Sequence, residues 1–197
     1  MTDDQPRMPP LPRSEWTDEA RAVFGFWEGN EARDNGSRSN TMMTLANHPK
    51  LALASLDFGR HLLVHSTLTV RQRELVILRV AWRYSSHYQW AHHVVAAKRI
   101  GMTDAEFDAL QSEQISSLWR QDEQALISAV DQLCATGRIN DMTWAILSQS
   151  MDCHQLMDFL YSVGFFTMNA WALGAMRVQL EPDFEAFSKA AHERSEG

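Results

Sequence analysis

The chain has 197 residues, 45% of them hydrophobic, and its 25 acidic and 18 basic side chains give a formal charge of −7. This length suits one compact domain whose core needs neither disulfides nor a metal ion as staples. The acidic balance, with no cluster of Lys or Arg to offset it, excludes a surface that follows phosphates, so we expect no nucleic-acid partner. Cys134 and Cys153 fit neither a disulfide framework nor a zinc ribbon. We expect them to be buried thiols in a reducing cytoplasm.

The two ends of the chain differ from its centre. Residues 1–13 are acidic and proline-rich, whereas a signal peptide would begin basic and continue apolar. We therefore predict an extended arm, on the surface or on a neighbouring subunit, then one domain over 14–180 and a tail over 181–197. The longest apolar stretch, 163–176, is shorter than the roughly 20 residues that span a bilayer. It predicts a core helix and no membrane partner.

Turn residues separate segments in which apolar positions recur with the period of an α-helix, so the predicted fold class is all-α. Ser14 can cap a first helix that includes Trp16 and Val23. The stretch 33–40, RDNGSRSN, predicts a polar loop. Pro49 is placed to begin the next helix.

Two capping boxes mark helix starts in the centre of the chain. Thr69 with Gln72 predicts a helix over 70–84, and Thr103 with Glu106 predicts another start. The remaining helices are expected near 103–111, 118–136, 141–150 and 152–176.

A further helix should lie between these two boxes. Ser85 and Ser86 can cap its start, and we expect it to end at Ile100 because Gly101 is a typical residue after a helix C-terminus. The tail is expected to be irregular up to Pro182.

Residues 84–93, YSSHYQWAHH, combine three histidines with three aromatic residues directly after an apolar helix. Helical spacing places Ser86, Gln89 and His93 on one face. His87 and His92 should point elsewhere.

Glu74 of the preceding helix is the expected partner of His93. A very short connection should fold the two helices against each other and bring these side chains together. A carboxylate beside an imidazole can transfer protons near neutral pH. Such a pair on apolar helices can also be purely structural, and spacing alone leaves both interpretations open.

Two other kinds of site could use residues of this stretch. A metal site would use Glu74, His87, His92 and His93. No two of these histidines stand at the spacing of one helical turn, and adjacent ones diverge by about 100° on a helix, which disfavours a metal. A nucleophilic serine would lack the strand-turn-helix elbow that such chemistry uses.

The segment 68–110 resembles the core motif of the carboxymuconolactone decarboxylase family, which includes the AhpD-type alkylhydroperoxidases. The matching elements are RQRELVILRVA, YQW, the second histidine of AHH, and AAKRIGMTDAE. A looser resemblance extends over about 45–180. It implies an AhpD-like, all-helical, single-domain bundle that forms homo-oligomers and uses no organic cofactor. It also implies that Glu74 and His93 transfer protons.

The peroxidase branch of the family carries a C-x-x-C pair, whose positions fall on Ser86 and Gln89 here. A thiol peroxidase needs a thiolate that can be oxidised and a second thiol that resolves it. Neither residue can do either, so we do not transfer the peroxidase activity. It would return only if Cys134 and Cys153 were adjacent in space.

The remaining resemblance is to the non-redox branch, in which a small carboxylated lactone loses CO2. We predict a cofactor-free lyase, a decarboxylase of a carboxymuconolactone-like lactone or a related aromatic-catabolism acid, with Glu74 and His93 as catalytic residues. Its predicted substrate-binding residues are Trp82, Ser86, His87, Tyr88, Gln89 and Trp90. The helix start would hold an anion, and the aromatic rings would form a dry wall. Packing in the core or at an interface is the simpler explanation of these rings. A related isomerase fits the same residues, and a helical binding or scaffold protein is the alternative of another class; a cavity beside His93 would favour the enzyme.

The number of large apolar side chains predicts self-association. They exceed what one small core usually buries. The residues concerned are Trp16, Trp27, Trp119, Trp144, Trp171 and the run 159–176.

Overall fold

The computed structural model describes residues 5–188, and this range is helical without a β-strand, which confirms the all-α prediction. Short turns of other helix types lie at Arg13–Glu15, His61–His65 and Pro182–Phe184. The α-helices, in chain order, are α1 (Asp18–Glu28), α2 (Asn30–Asn35), α3 (Asn40–Leu45), α4 (Pro49–Arg60), α5 (Val70–Arg83), α6 (His87–Arg99), α7 (Asp104–Leu110), α8 (Gln121–Thr136), α9 (Asp141–Ser150), α10 (Cys153–Met176) and α11 (Glu185–Ser188).

The larger hydrophobic cluster is built around α5, which packs against α6, α8 and α10. Leu75 and Leu78 are fully buried there. Arg79 is buried beside them, and its guanidinium binds Asp131 of α8 at 2.6 and 2.7 Å and donates to the carbonyl of Leu110 at 2.6 Å. A buried cation is tolerated only with such partners. These bonds hold α5 in place and with it the position of Glu74.

A second hydrophobic cluster is formed by α1 to α4 and includes Phe24, Met42 and Leu56. Leu11 of the proline-rich arm is buried in it, and the backbone N–H of Leu11 donates to the carbonyl of Met43 at 2.9 Å. From residue 5 onward, the arm therefore packs along its own chain. Its first four residues lie outside the described range.

The predicted start of the first helix is wrong. Ser14 lies in the short turn Arg13–Glu15, and Thr17 caps α1 instead, its hydroxyl accepting from the backbone N–H of Ala20 at 3.2 Å. Proline residues just before this point keep the backbone extended, and Thr17 is the next side chain that can accept from a free N–H.

The predicted loop over 33–40 is shorter than expected. Helix α2 continues to Asn35, and α3 begins at Asn40, with Ser39 as its capping residue. Both helices have only six residues, too few for periodicity to identify them. Helix α8 also begins later than predicted, at Gln121.

The central boundaries are as predicted. Both capping boxes are present, at Thr69 and Thr103. Pro49 begins α4, and Gly101 follows α6 with a φ of 87°, a conformation that favours glycine. The tail is irregular up to Pro182 and helical after it, and its residues beyond 188 lie outside the described range. None of the helices between residues 5 and 188 has the length and apolar character needed to cross a membrane.

Candidate functional site

Glu74 and His93 are brought together by the sharp reversal between α5 and α6. Ser85 adopts a φ of 50°, which residues other than glycine rarely take, and the N–H of Ser86 donates to the carbonyl of Ala81 at 2.8 Å. The helices therefore fold back and pack against each other. Nδ1 of His93 lies 2.7 Å from Oε2 of Glu74, so the predicted contact is confirmed. Its catalytic role stays a prediction.

The Glu74 carboxylate is buried but held in its charged form. Its side chain is 3% exposed, and Nη2 of Arg73 lies 3.3 Å from its second oxygen. Burial alone would raise the pKa of Glu74, but the hydrogen bond and charge of His93, together with Arg73, lower it below the ordinary value. A charged Glu74 keeps a proton on Nδ1 of His93. Nε2 is then the ring nitrogen left for a substrate.

A second carboxylate-imidazole pair lies one residue away along α6. Nε2 of His92 is 2.8 Å from Oε2 of Glu181, whose other oxygen accepts from the Tyr88 hydroxyl and from the backbone N–H of Asn40, each at 2.6 Å. These bonds lower the pKa of Glu181 although burial opposes them, whereas burial and the bond to Glu181 raise the pKa of Tyr88. The His92 ring is stacked between Tyr88 at 4.5 Å and Phe184 at 3.9 Å.

Both histidines line one cavity of about 260 Å³. It lies where the two hydrophobic clusters meet, because Leu56 from one and Phe166 from the other both contribute to its wall. The ring of Phe166 packs edge-on against His93 at 5.5 Å. The polar side chains that line the cavity are Ser39, Thr41, Ser55, Tyr88, Gln89, His92, His93 and Asn169. The volume suits a molecule of about one ring.

Two of the predicted substrate-binding residues, Tyr88 and Gln89, line this cavity. Gln89 is buried, and its Nε2 donates to the carbonyl of Ile77 at 3.3 Å. Gln89 and His93 lie one helical turn apart, so they face the same part of the cavity.

The predicted wall of tryptophans must be corrected. Trp90 does not line the cavity but is 1% exposed in the core, edge-on to Phe107 at 6.5 Å. Trp82 lies under the guanidinium of Arg79 at 4.2 Å, also away from the cavity. Both rings pack between helices. The aromatic part of the wall comes instead from Trp27 of α1, Tyr88 of α6, and Phe165 and Phe166 of α10.

The predicted anion site at the start of α6 must be corrected as well. Ser86 and His87 line a separate depression together with Arg177 and Gln179. Tyr88 borders both spaces. The helix start therefore opens into a different space from the cavity beside His93.

His92 and Glu181 are the site residues that sequence reasoning missed. Adjacent residues on a helix diverge by about 100°, which suggested that His92 points away from the site. The cavity is nevertheless wide enough that both His92 and His93 line it, although their side chains point in different directions. The adjacent pair of histidines could have drawn attention to His92, but no short-range sequence pattern connects His92 with Glu181.

Within residues 5–188, no three His, Cys, Asp or Glu side chains are grouped closely enough to hold a metal ion. The two cysteines are free thiols, and Cys153, which we expected to be buried, is exposed. They are also far apart. The carbonyl of Cys134 accepts from the hydroxyl of Tyr84, and the ring of Tyr84 packs against Trp171 near the C-terminal end of α10. Cys153 is the first residue of α10. At about 1.5 Å per residue, positions 153 and 171 of one helix are separated by roughly 27 Å.

Comparison with known proteins supports the family resemblance and the fold. Residues 49–131 match the model of the carboxymuconolactone decarboxylase family. No curated protein shows detectable sequence similarity to the chain. The matched segment contains Glu74, His92 and His93 and ends within α8.

Several solved structures share the fold at low identity. A peroxidase-related protein from Silicibacter sp. TM1040 is 16% identical with a TM-score of 0.77, over 95% of this chain and 99% of that one. An AhpD-core peroxidase-related protein from Ralstonia eutropha JMP134 is 15% identical with a TM-score of 0.75, over 92% and 96%. The debrominase Bmp8 is 15% identical with a TM-score of 0.74, over 93% and 97%. At such identities the likeness establishes the AhpD-like fold alone.

Proposed function

Since residues 49–131 match the carboxymuconolactone decarboxylase family, we propose that this protein is a cofactor-free lyase that removes CO2 from a small carboxylated lactone or a related enolisable acid. One observation carries the proposal: the Glu74–His93 pair stands at the wall of a cavity that can hold one small ring. A scaffold protein would have a filled core at this place. The cavity therefore favours an enzyme over a scaffold.

The chemistry needs one proton donor and a substrate that accepts electrons. The bond between the carboxylate carbon and the ring carbon breaks, CO2 leaves, and the electron pair moves into the lactone carbonyl as an enolate. Nε2 of protonated His93 then gives its proton to a carbon of the enolate, while Glu74 stabilises the charged imidazole and orients it. Proton exchange with water restores His93.

The character of the cavity also supports loss of a carboxylate. Among the described residues that line it, none is Lys or Arg, and aliphatic and aromatic side chains dominate its wall. A carboxylate placed there loses hydration, whereas the charge of the enolate is spread over more atoms, so a dry site favours the reaction. Hydroxyls such as those of Thr41 and Ser55 can orient the lactone oxygens.

An AhpD-type peroxidase is the alternative, since two neighbours in fold are peroxidase-related. The geometry speaks against a thiol pair in this chain. A disulfide requires Cα atoms within about 7 Å, and Cys134 and Cys153 are near different ends of α10. Burial also raises the pKa of the Cys134 thiol, which disfavours the reactive thiolate.

One experiment separates the two activities. Purified protein is mixed with γ-carboxymuconolactone, and CO2 release is followed together with the ultraviolet absorbance of the product. A parallel sample receives cumene hydroperoxide with a dithiol reductant. We expect CO2 release that depends on His93 and no peroxide consumption above that of the reductant alone. Peroxide turnover without CO2 release would refute the proposal.

We also propose that the protein is a homo-oligomer that associates through α10. One side of this helix carries exposed apolar residues at the spacing of a packing seam, namely Met157 (52% exposed), Tyr161 (57%), Met168 (46%) and Trp171 (59%). Gly164 in the middle has open space beside it, so a second helix can come close. A second copy of the chain offers the same stripe, as a two-fold interface requires. By contrast, Trp119 is buried within the subunit and gives no support to self-association.

A further inference from the structure

The cavity has two imidazoles with the same arrangement rather than one. His92 and His93 both line it, and each has one ring nitrogen on a buried carboxylate, at 2.8 Å to Glu181 and 2.7 Å to Glu74. Each ring therefore has one nitrogen fixed by a carboxylate and a second nitrogen that can exchange a proton with a ligand. The duplication suggests chemistry that uses both rings.

Glu181 is held as firmly as Glu74. Its two oxygens accept three hydrogen bonds, from His92, the Tyr88 hydroxyl and the backbone N–H of Asn40. A carboxylate with three donors remains ionised, which agrees with its lowered pKa. It therefore keeps a proton on Nε2 of His92 and leaves Nδ1 as the nitrogen that can exchange a proton with a ligand.

Stacking fixes the plane of the His92 ring. Tyr88 covers one face with an interplanar angle of 20°, and Phe184 covers the other with 18°. Because both faces are covered, a ligand can approach only the ring edge, where the nitrogens are. The side chain of His92 is 28% exposed, more than the 17% of His93, so its edge is open to a small molecule.

We infer that His92 is a second proton-transfer residue and that the site moves a proton between two carbons of an unsaturated lactone or acid. This rests on the proposed function, because CO2 loss and proton removal from such substrates lead to the same kind of enolate. The substrate class is a β,γ-unsaturated lactone or acid in which the enolate extends over both carbons. Glu181 is the positioning residue for His92.

The steps balance without any redox partner. His93 takes the proton from the α-carbon, the C–H electron pair forms a dienolate, and the double bond moves toward the carbonyl as protonated His92 gives its proton to the γ-carbon. One C–H bond breaks and one forms. The two imidazoles end with exchanged protonation states, and exchange with water restores them.

The test uses α-angelica lactone, a small β,γ-unsaturated lactone, in D2O with ¹H NMR. Deuterium exchange at the α-carbon needs one base, whereas conversion to β-angelica lactone needs delivery of a proton to the γ-carbon. We expect His92→Gln to lower conversion at least 100-fold and to change α-exchange by no more than a few-fold. His93→Gln should lower both. Glu181→Gln should lower conversion about 10-fold and leave exchange in place.

Two variants guard against a loss of packing. His92→Phe keeps both ring stacks but has no nitrogen, so it should behave as His92→Gln does. His65→Gln removes an exposed histidine outside the cavity and should match wild type. The inference is overturned if His92→Gln leaves conversion unchanged or lowers exchange and conversion equally. In that case, wild-type CO2 release that is lost in His93→Gln would leave the proposed function standing. If the wild-type protein shows neither α-exchange nor CO2 release, both the inference and the proposed function are refuted.

Discussion

Nδ1 of His93 and Oε2 of Glu74 lie 2.7 Å apart across the reversal between α5 and α6. The pair joins a buried carboxylate to a ring that borders the cavity. If it acts as one proton-transfer unit, Glu74→Gln and His93→Gln should each lower turnover by roughly 10²- to 10⁴-fold. The double variant should be scarcely slower than the slower of the two single variants, because removing the second member of an already inactive pair costs little further activity. Glu19→Gln, which changes an exposed carboxylate on α1, is the control. Activity within a few-fold of wild type in His93→Gln, accompanied by a lower Tm, would make the pair structural.

Stability should fall in acid through the two buried carboxylates. The pKa values of Glu74 and Glu181 are lower in the folded protein than the ordinary value of 4.5. Each group therefore contributes stability that is fully present above pH 4.5 and is lost as the pH falls toward the folded pKa. Urea unfolding between pH 7 and pH 3 should show this loss. Glu74→Gln should weaken the dependence, and an unchanged slope in that variant would contradict the assignment.

The thiols should be dispensable for activity. Replacing Cys134 and Cys153 together by Ala should leave turnover within about two-fold, since neither lines the cavity. The free energy of unfolding should fall by about 1 kcal/mol or less, because Cys153 is exposed and Cys134 only half-buried. Steady-state kinetics and urea unfolding measure both effects. A peroxide activity that disappears in the double variant would revive the peroxidase.

Self-association should depend on the exposed stripe of α10. Sedimentation should show an oligomer of the wild type at micromolar concentration, and Tyr161→Glu or Met168→Glu should shift it toward the monomer, because a charge at a packed apolar seam is costly. Met142→Glu is the matched control, since Met142 is 77% exposed on α9 and lies off the stripe. A monomeric wild type, or equal effects of all three variants, would refute the proposed interface.

Local signals predicted the central helices well and the first helices poorly. Thr69 and Thr103 act through side chains and N–H groups only a few residues away, so their capping boxes can be recognised from spacing. Helices α2 and α3 have only six residues each, too few to show a helical period. They form because Gly36 and Ser39 end and begin them on either side of a tight turn. No periodicity argument could detect them.

The sequence by itself determined the all-helical fold, the hairpin of α5 and α6, and the contact between Glu74 and His93. These follow from rules that act over short distances: helix period, caps, and a connection too short to let two helices separate. Only the tertiary structure decided that Trp82 and Trp90 are packing residues, that Ser86 faces another depression, and that His92 shares the cavity. The bond of His92 to Glu181 joins positions 89 residues apart. This hydrogen bond forms because the chain after α10 lies beside α6. No short-range pattern around either residue predicts that contact.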